Sequence, residues 1–160
     1  MTTQILTDPV SVFRQELAEL PASKRLSRQD AEALYSMAYQ LTMQNRIEEA
    51  YNYFTLLVLY VPTHIKYLNG LGLSCKLTQR YEQAFRIFSF MCILEPMQPQ
   101  HVLSLAEVQI LQGQTAAACE SLQLIGAFCA ENIEFQPVGK RAQAILDLIG
   151  SAQQPEEVSA

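Results

Sequence analysis

The sequence has no tryptophan, two histidines in 160 residues, and four cysteines of which no two form a CxxC pair. Cys75, Cys92, Cys119 and Cys129 sit in apolar helical patterns with no histidine at ligand spacing. A zinc site and a disulfide framework are therefore both excluded, and reduced core thiols are expected. Basic residues are scarce, with 11 Lys and Arg against 16 Asp and Glu and a net charge of -5. They are scattered, so the electrostatic footprint of a nucleic-acid binder is missing. Long apolar runs are lacking too: the stretch Tyr53 to Val61 is short, and Ala84 to Leu94 carries Arg86. Both fall well below the roughly 20 residues that cross a bilayer, so no membrane insertion is expected. The opening residues Met1 to Pro9 have neither a cationic nor an apolar region of a secretory signal, and the cytoplasm is the expected location.

Catalytic patterns are equally sparse. His64 and His101 have no Ser, Cys or carboxylate in a pattern that a nucleophilic or metal mechanism requires, and both are expected at surfaces or helix caps. Glu48-Glu49 and Glu156-Glu157 are neighbours in sequence and point in different directions on a helix. Gly70 and Gly72 lie inside a helical pattern rather than in a phosphate loop. No enzyme, cofactor or metal is written here, which leaves a binding surface as the functional element.

What is present is a period. Hydrophobic residues make up 49% of the chain, enough for one domain with a real core. Ala50, Phe54 and Pro62 recur as Ala84, Phe88 and Pro96, each 34 residues on, and again as Ala118 and Leu122. That is the step of the tetratricopeptide repeat, a helix-turn-helix with small residues where its helices cross. The expected fold is all-α: a superhelix of three repeats over residues 29–130, with an N-terminal helix and a C-terminal capping helix.

Residues 1–28 form an arm. Within it Asp8-Pro9 starts a short amphipathic helix with Val10, Phe13, Leu17 and Leu20 on one face, which Pro21 ends. A helix of about 12 residues is unstable alone, so this face either caps the first repeat or meets a second copy in a dimer. Residues 1–7 are expected to fray, and 21–28 to form a polar linker before Ser27 and Asp30 open the first repeat as a capping box. That repeat turns at Asn45-Arg46, with Leu34, Met37, Ala38 and Leu41 facing the partner helix. The second turns at Thr78-Gln79-Arg80, and Gly72 and Ala84 lack bulk at the helix crossing. The third is degenerate, with Gln109 at an apolar position and Ala130 in place of proline. A capping helix in 131–150 carries Phe135, Val138, Ala142, Ile145, Leu146 and Ile149, with Gly150 as its C-cap and 151–160 as a disordered tail.

Stacked repeats present a concave wall built from the first helix of each unit. Residues at its inward-looking positions include Tyr35, Tyr39 and Met43 in the first unit, Lys66, Asn69 and Leu73 in the second, and Leu103 and Glu107 in the third. For each, burial in the core is the competing expectation. The wall is mostly apolar and aromatic, and only Lys66, Lys76 and Asn69 approach a carboxylate clamp, so it suits hydrophobic side chains of an internal segment.

Four stretches make the chain recognisable: Leu34-Tyr35-Ser36-Met37-Ala38-Tyr39, Arg46-Ile47-Glu48-Glu49-Ala50, Leu68-Asn69-Gly70-Leu71-Gly72-Leu73-Ser74-Cys75, and Ala106 to Gly113. Together they resemble the class II chaperones of bacterial type III secretion, the SycD/LcrH family, over residues 8–150. The resemblance implies a cytoplasmic chaperone that holds two hydrophobic, pore-forming translocator proteins before export, gripping a short extended segment in the concave groove. It also implies a homodimer through the N-terminal region. The weak third repeat and the acidic surface depart from the family pattern. A different class of function for the same repeats is a scaffold or regulatory adaptor that joins two proteins.

Overall fold

A computed structural model describes residues 8–20 and 25–153. The expected fraying of 1–7, the linker residues 21–24 and the tail from residue 154 lie outside the described residues. Among those described, the fold is all-α, with no strand. Eight α-helices occur in order: α1 (Pro9–Glu19), α2 (Arg28–Met43), α3 (Ile47–Tyr60), α4 (Ile65–Leu77), α5 (Tyr81–Leu94), α6 (Pro99–Leu111), α7 (Thr115–Glu131) and α8 (Gln136–Gln153). They fall into two compact units, Met1–Glu95 and Pro96–Ala160.

In unit 1 the helices pack in succession, α2 on α3, α3 on α4 and α4 on α5. Ser27 caps α2 by accepting the Asp30 amide at 3.1 Å while its hydroxyl donates to the Asp30 carboxylate at 2.6 Å. At the crossings, Ala38, Ala50 and Ala84 are buried without residue, and Phe54, Leu57, Phe88 and Met91 fill the space beside them. Each such large side chain removed from water contributes about 1.5–3 kcal/mol. Met37, expected in this core, is exposed instead. The wide apolar stripe of α2 is satisfied by Ala31, Ala38 and Leu41, which leaves Met37 on the rim.

The turns between paired helices share one backbone device. Asn45 has φ 59°, Gln79 has φ 61° and Gly113 has φ 77°, each 34 positions after the last. The next amide in each case, that of Arg46, Arg80 and Gln114, donates to a carbonyl five residues back, on Leu41, Cys75 and Gln109. These bonds satisfy carbonyls that the helix ends leave without partners.

Unit 2 stacks α6 on α7 and α7 on α8 around Leu103, Ala106, Ala118, Leu122, Ile125, Cys129 and Ala142. Gln109, out of place by its polarity, is buried with its side-chain oxygen accepting from Ser121 at 3.3 Å. His101, expected at a surface or a helix cap, lies in the first turn of α6 and is buried. A short 3₁₀ turn, Ile133–Phe135, leads into α8, which runs through Gly150 to Gln153. Gly150 is therefore not a cap, and residues 151–153 belong to the helix rather than to a tail.

Candidate functional site: the first-helix faces of the repeats

α2 and α4 supply the expected binding wall of unit 1. Tyr39 is 54% exposed and Met43 is 70% exposed, one turn apart on α2. On α4, Lys66 and Asn69 are exposed and Leu73 is half-buried, with exposed Leu77 one turn further on. Apolar contact area and a few polar groups thus share one unit, as a peptide-holding surface requires.

Tyr35 plays a different part. It is half-buried, edge-on to Phe54 at 6.2 Å between ring centroids, and 5.6 Å from the ring of Tyr67. His64 stacks on Tyr67 at 3.9 Å and 15°. These aromatic contacts tie α2 to α4; Tyr67 was not marked by the sequence, and His64, expected at a surface or helix cap, is the N-cap residue of α4. Their signal is weak because the partners lie in different repeats, so no local spacing joins them.

Burial pushes the Tyr67 phenol above its usual range, with nearby Glu32 adding to the effect. Burial, then the charge of Lys66, pushes the His64 imidazole below its ordinary value. Its Nδ1 is enclosed without a protein partner. The native state therefore favours neutral His64. This contribution to stability is complete above about pH 6.5, the unfolded value, and is lost as pH falls through the lower native pKa. His64→Gln should accordingly lose less stability than the parent between about pH 7 and about pH 5. Urea unfolding at a series of pH values measures this, and parallel curves for the two proteins would contradict it.

In unit 2 the expected wall residues behave otherwise. Leu103 is 0% exposed, at the centre of the cluster that includes Ala142 of α8. It does not line a surface, because the terminal helix contributes the apolar neighbours that enclose it. Glu107 is mostly covered, and its carboxylate accepts from the Arg141 guanidinium of α8 at 2.6 Å.

α1 begins as expected, with the Asp8 carboxylate accepting the Val10 amide at 3.2 Å and Pro9 in the first turn. Phe13 meets Phe90 of α5 edge-on at 6.3 Å, and the Arg14 guanidinium donates to the Leu94 carbonyl at 3.0 Å. Leu17 is half-buried beside Tyr60, Pro62 and Thr63, Val10 is half-buried, and Leu20 is exposed. The helix is thus anchored where the first repeat ends and on the second helix of the next, rather than on the first repeat alone.

Among the described residues no group of three or more His, Cys, Asp or Glu is placed to hold a metal ion, and no helix is long and apolar enough to cross a membrane. Cys75, Cys92 and Cys129 have thiols pushed up by burial, away from the thiolate that reactivity needs.

Comparison with known proteins places this geometry. A tetratricopeptide-repeat family model matches residues 31–61. The low calcium response locus protein H of Yersinia pestis is 25% identical over 124 residues, 78% of this chain and 74% of the relative. The chaperone protein SicA of Salmonella dublin is 24% identical over 122 residues, 76% of this chain and 72% of that protein. In fold, the chain is similar to the Yersinia enterocolitica type III secretion chaperone SycD in complex with a peptide of the translocator YopD. The TM-score is 0.70 at 23% identity, over 80% of this chain and 98% of that one. The 34-residue ladder, the helix order and these comparisons agree: the chain is similar to the SycD and low calcium response locus protein H chaperones and has the tetratricopeptide-repeat fold.

Proposed function

We propose that the chain is a chaperone for hydrophobic translocators of a bacterial type III secretion system, and that an extended client segment lies along the α2 and α4 face of unit 1. The observation that carries this reading is the exposure of Tyr39 and Met43 on α2 together with exposed Lys66 and Asn69 and half-buried Leu73 on α4. That a relative, SycD, takes a translocator peptide supports it. Residues 29–130 serve as the repeats, 131–150 as the cap and 1–28 as the arm. Val10, Phe13, Leu17 and Leu20 form the contact for a homodimer. The clients are two translocators, held in the cytoplasm before they meet a membrane. The chaperone acts by mass action: covering a membrane-seeking segment lowers the population free to aggregate, with no reaction and no cofactor.

Tyr39→Ala with Met43→Ala tests the wall. Both side chains are mostly in solvent, so the double variant should unfold within about 0.5 kcal/mol of the parent. Co-expressed with a translocator from a neighbouring reading frame, it should hold at least about tenfold less client, as loss of an interface anchor costs more than about 1 kcal/mol. Undiminished client yield would remove the α2 and α4 face from the mechanism. A client that still binds but is lost on substitution of outward residues of α3 and α5 would point to an adaptor.

A further inference from the structure

Within unit 1, α1 occupies a definite seat. Phe13 rests on Phe90, Arg14 is held by the Leu94 carbonyl, and Leu17 lies beside Pro62 and Thr63. Advanced by the 34-residue period, Pro62, Thr63, Phe90 and Leu94 become Pro96, Met97, Leu124 and Phe128. Those four residues line a single recess of about 190 Å³ in unit 2, whose floor includes Val102 and Ile125. Unit 2 thus repeats the seat of α1, and every position of it is apolar. On its rim Leu124 is 71% exposed and Met97 is 67% exposed.

One difference selects the occupant. Leu94 is the last residue of α5, so its carbonyl is left without a helical partner and can accept a cation. Its counterpart Phe128 lies inside α7, and the carbonyl there already accepts from the Asn132 side-chain amide at 2.7 Å. A guanidinium brought to this point would have to share a carbonyl that the Asn132 amide already uses, and would recover less of its lost hydration than Arg14 does at Leu94. Unit 2 therefore offers the apolar half of the seat without its electrostatic half.

We propose that this recess docks an amphipathic helix of a partner protein, one that presents two large apolar side chains four residues apart and carries no cation next to the first. A second copy's α1 is a poor fit, because its Arg14 would face the Asn132 amide. The site is separate from the α2 and α4 wall, and the proposal does not depend on the identity of the client held there.

The probe is a fluorescein-labelled peptide of residues 8–20 carrying Arg14→Leu, titrated with the full chain and read by anisotropy. Saturable binding is expected, weakened at least about tenfold by Leu124→Glu and independently by Met97→Glu. Both substitutions lie on the exposed rim, and thermal melts confirm that the variants fold. The unaltered peptide, with Arg14, should bind several-fold more weakly. Binding that neither variant weakens would place the peptide elsewhere, including the seat in unit 1, and would overturn the proposal. Equal binding of the Arg14 peptide would overturn it as well, by assigning the recess to a second copy of this chain.

Discussion

Leu103→Ala should lower the free energy of unfolding by about 2–5 kcal/mol, with the urea midpoint falling and the slope unchanged. The side chain is wholly buried and is surrounded by Ala106, Ala118, Leu122 and Ala142. Truncation removes its transfer free energy and leaves a cavity that three alanines cannot collapse to fill. The loss would be a large share of the roughly 5–15 kcal/mol that holds a domain together. From its repeat position alone, Leu103 belongs to the client-binding wall, and the same variant would then leave stability intact. The two readings differ by several kcal/mol, so one denaturation curve separates them. Any fall in client yield from this variant is expected to follow the fall in stability.

Phe88→Ala should cost about 3–5 kcal/mol in unit 1, and it should also reverse the effect of a second substitution. A Cβ added at Gly72 would lie 2.8 Å from Phe88 Cζ, 2.9 Å from its Cε1 and 3.3 Å from Ile87 Cγ2. In the parent, Gly72→Ala therefore overpacks the α4–α5 crossing, at about 1–3 kcal/mol, against a gain of about 1 kcal/mol in helix propensity. The net is a loss. With Phe88 already cut to alanine the two closest contacts are gone and Ile87 Cγ2 at 3.3 Å remains, so the propensity gain should outweigh the residual crowding and Gly72→Ala should stabilise. A double-mutant cycle measures the coupling, and additive values within about 0.5 kcal/mol would contradict the close approach.

How far this was legible from sequence depends on what kind of fact is asked for. The ladder of Ala50, Ala84 and Ala118 marks three buried crossings, because a small residue at a fixed step is a local signal. The turns at Asn45 and Gln79 were equally plain. Exposure along the wall was not. Tyr35, Asn69 and Leu103 share one repeat position, yet they are half-buried, exposed and fully buried. Periodicity says which residues are equivalent, but burial depends on what each neighbour brings. Asn69 stays in solvent by its polarity, Tyr35 leans on Phe54 and Tyr67, and Leu103 is closed in with Ala142 of the last helix. Met37 and His101 were misplaced for the same reason. The seat of α1 and its echo in unit 2 needed three-dimensional placement before the period could relate them.

The left-handed turn residues rank the repeats in an order that motif matching does not. An ordinary side chain in that conformation costs of order 1 kcal/mol, asparagine less, and glycine next to nothing. Gln79 therefore carries the largest conformational penalty of the three, and Gly113 the smallest, in the degenerate third repeat. Fidelity to a consensus and ease of the backbone path are separate properties: the repeat that departs furthest from the pattern has the least strained turn.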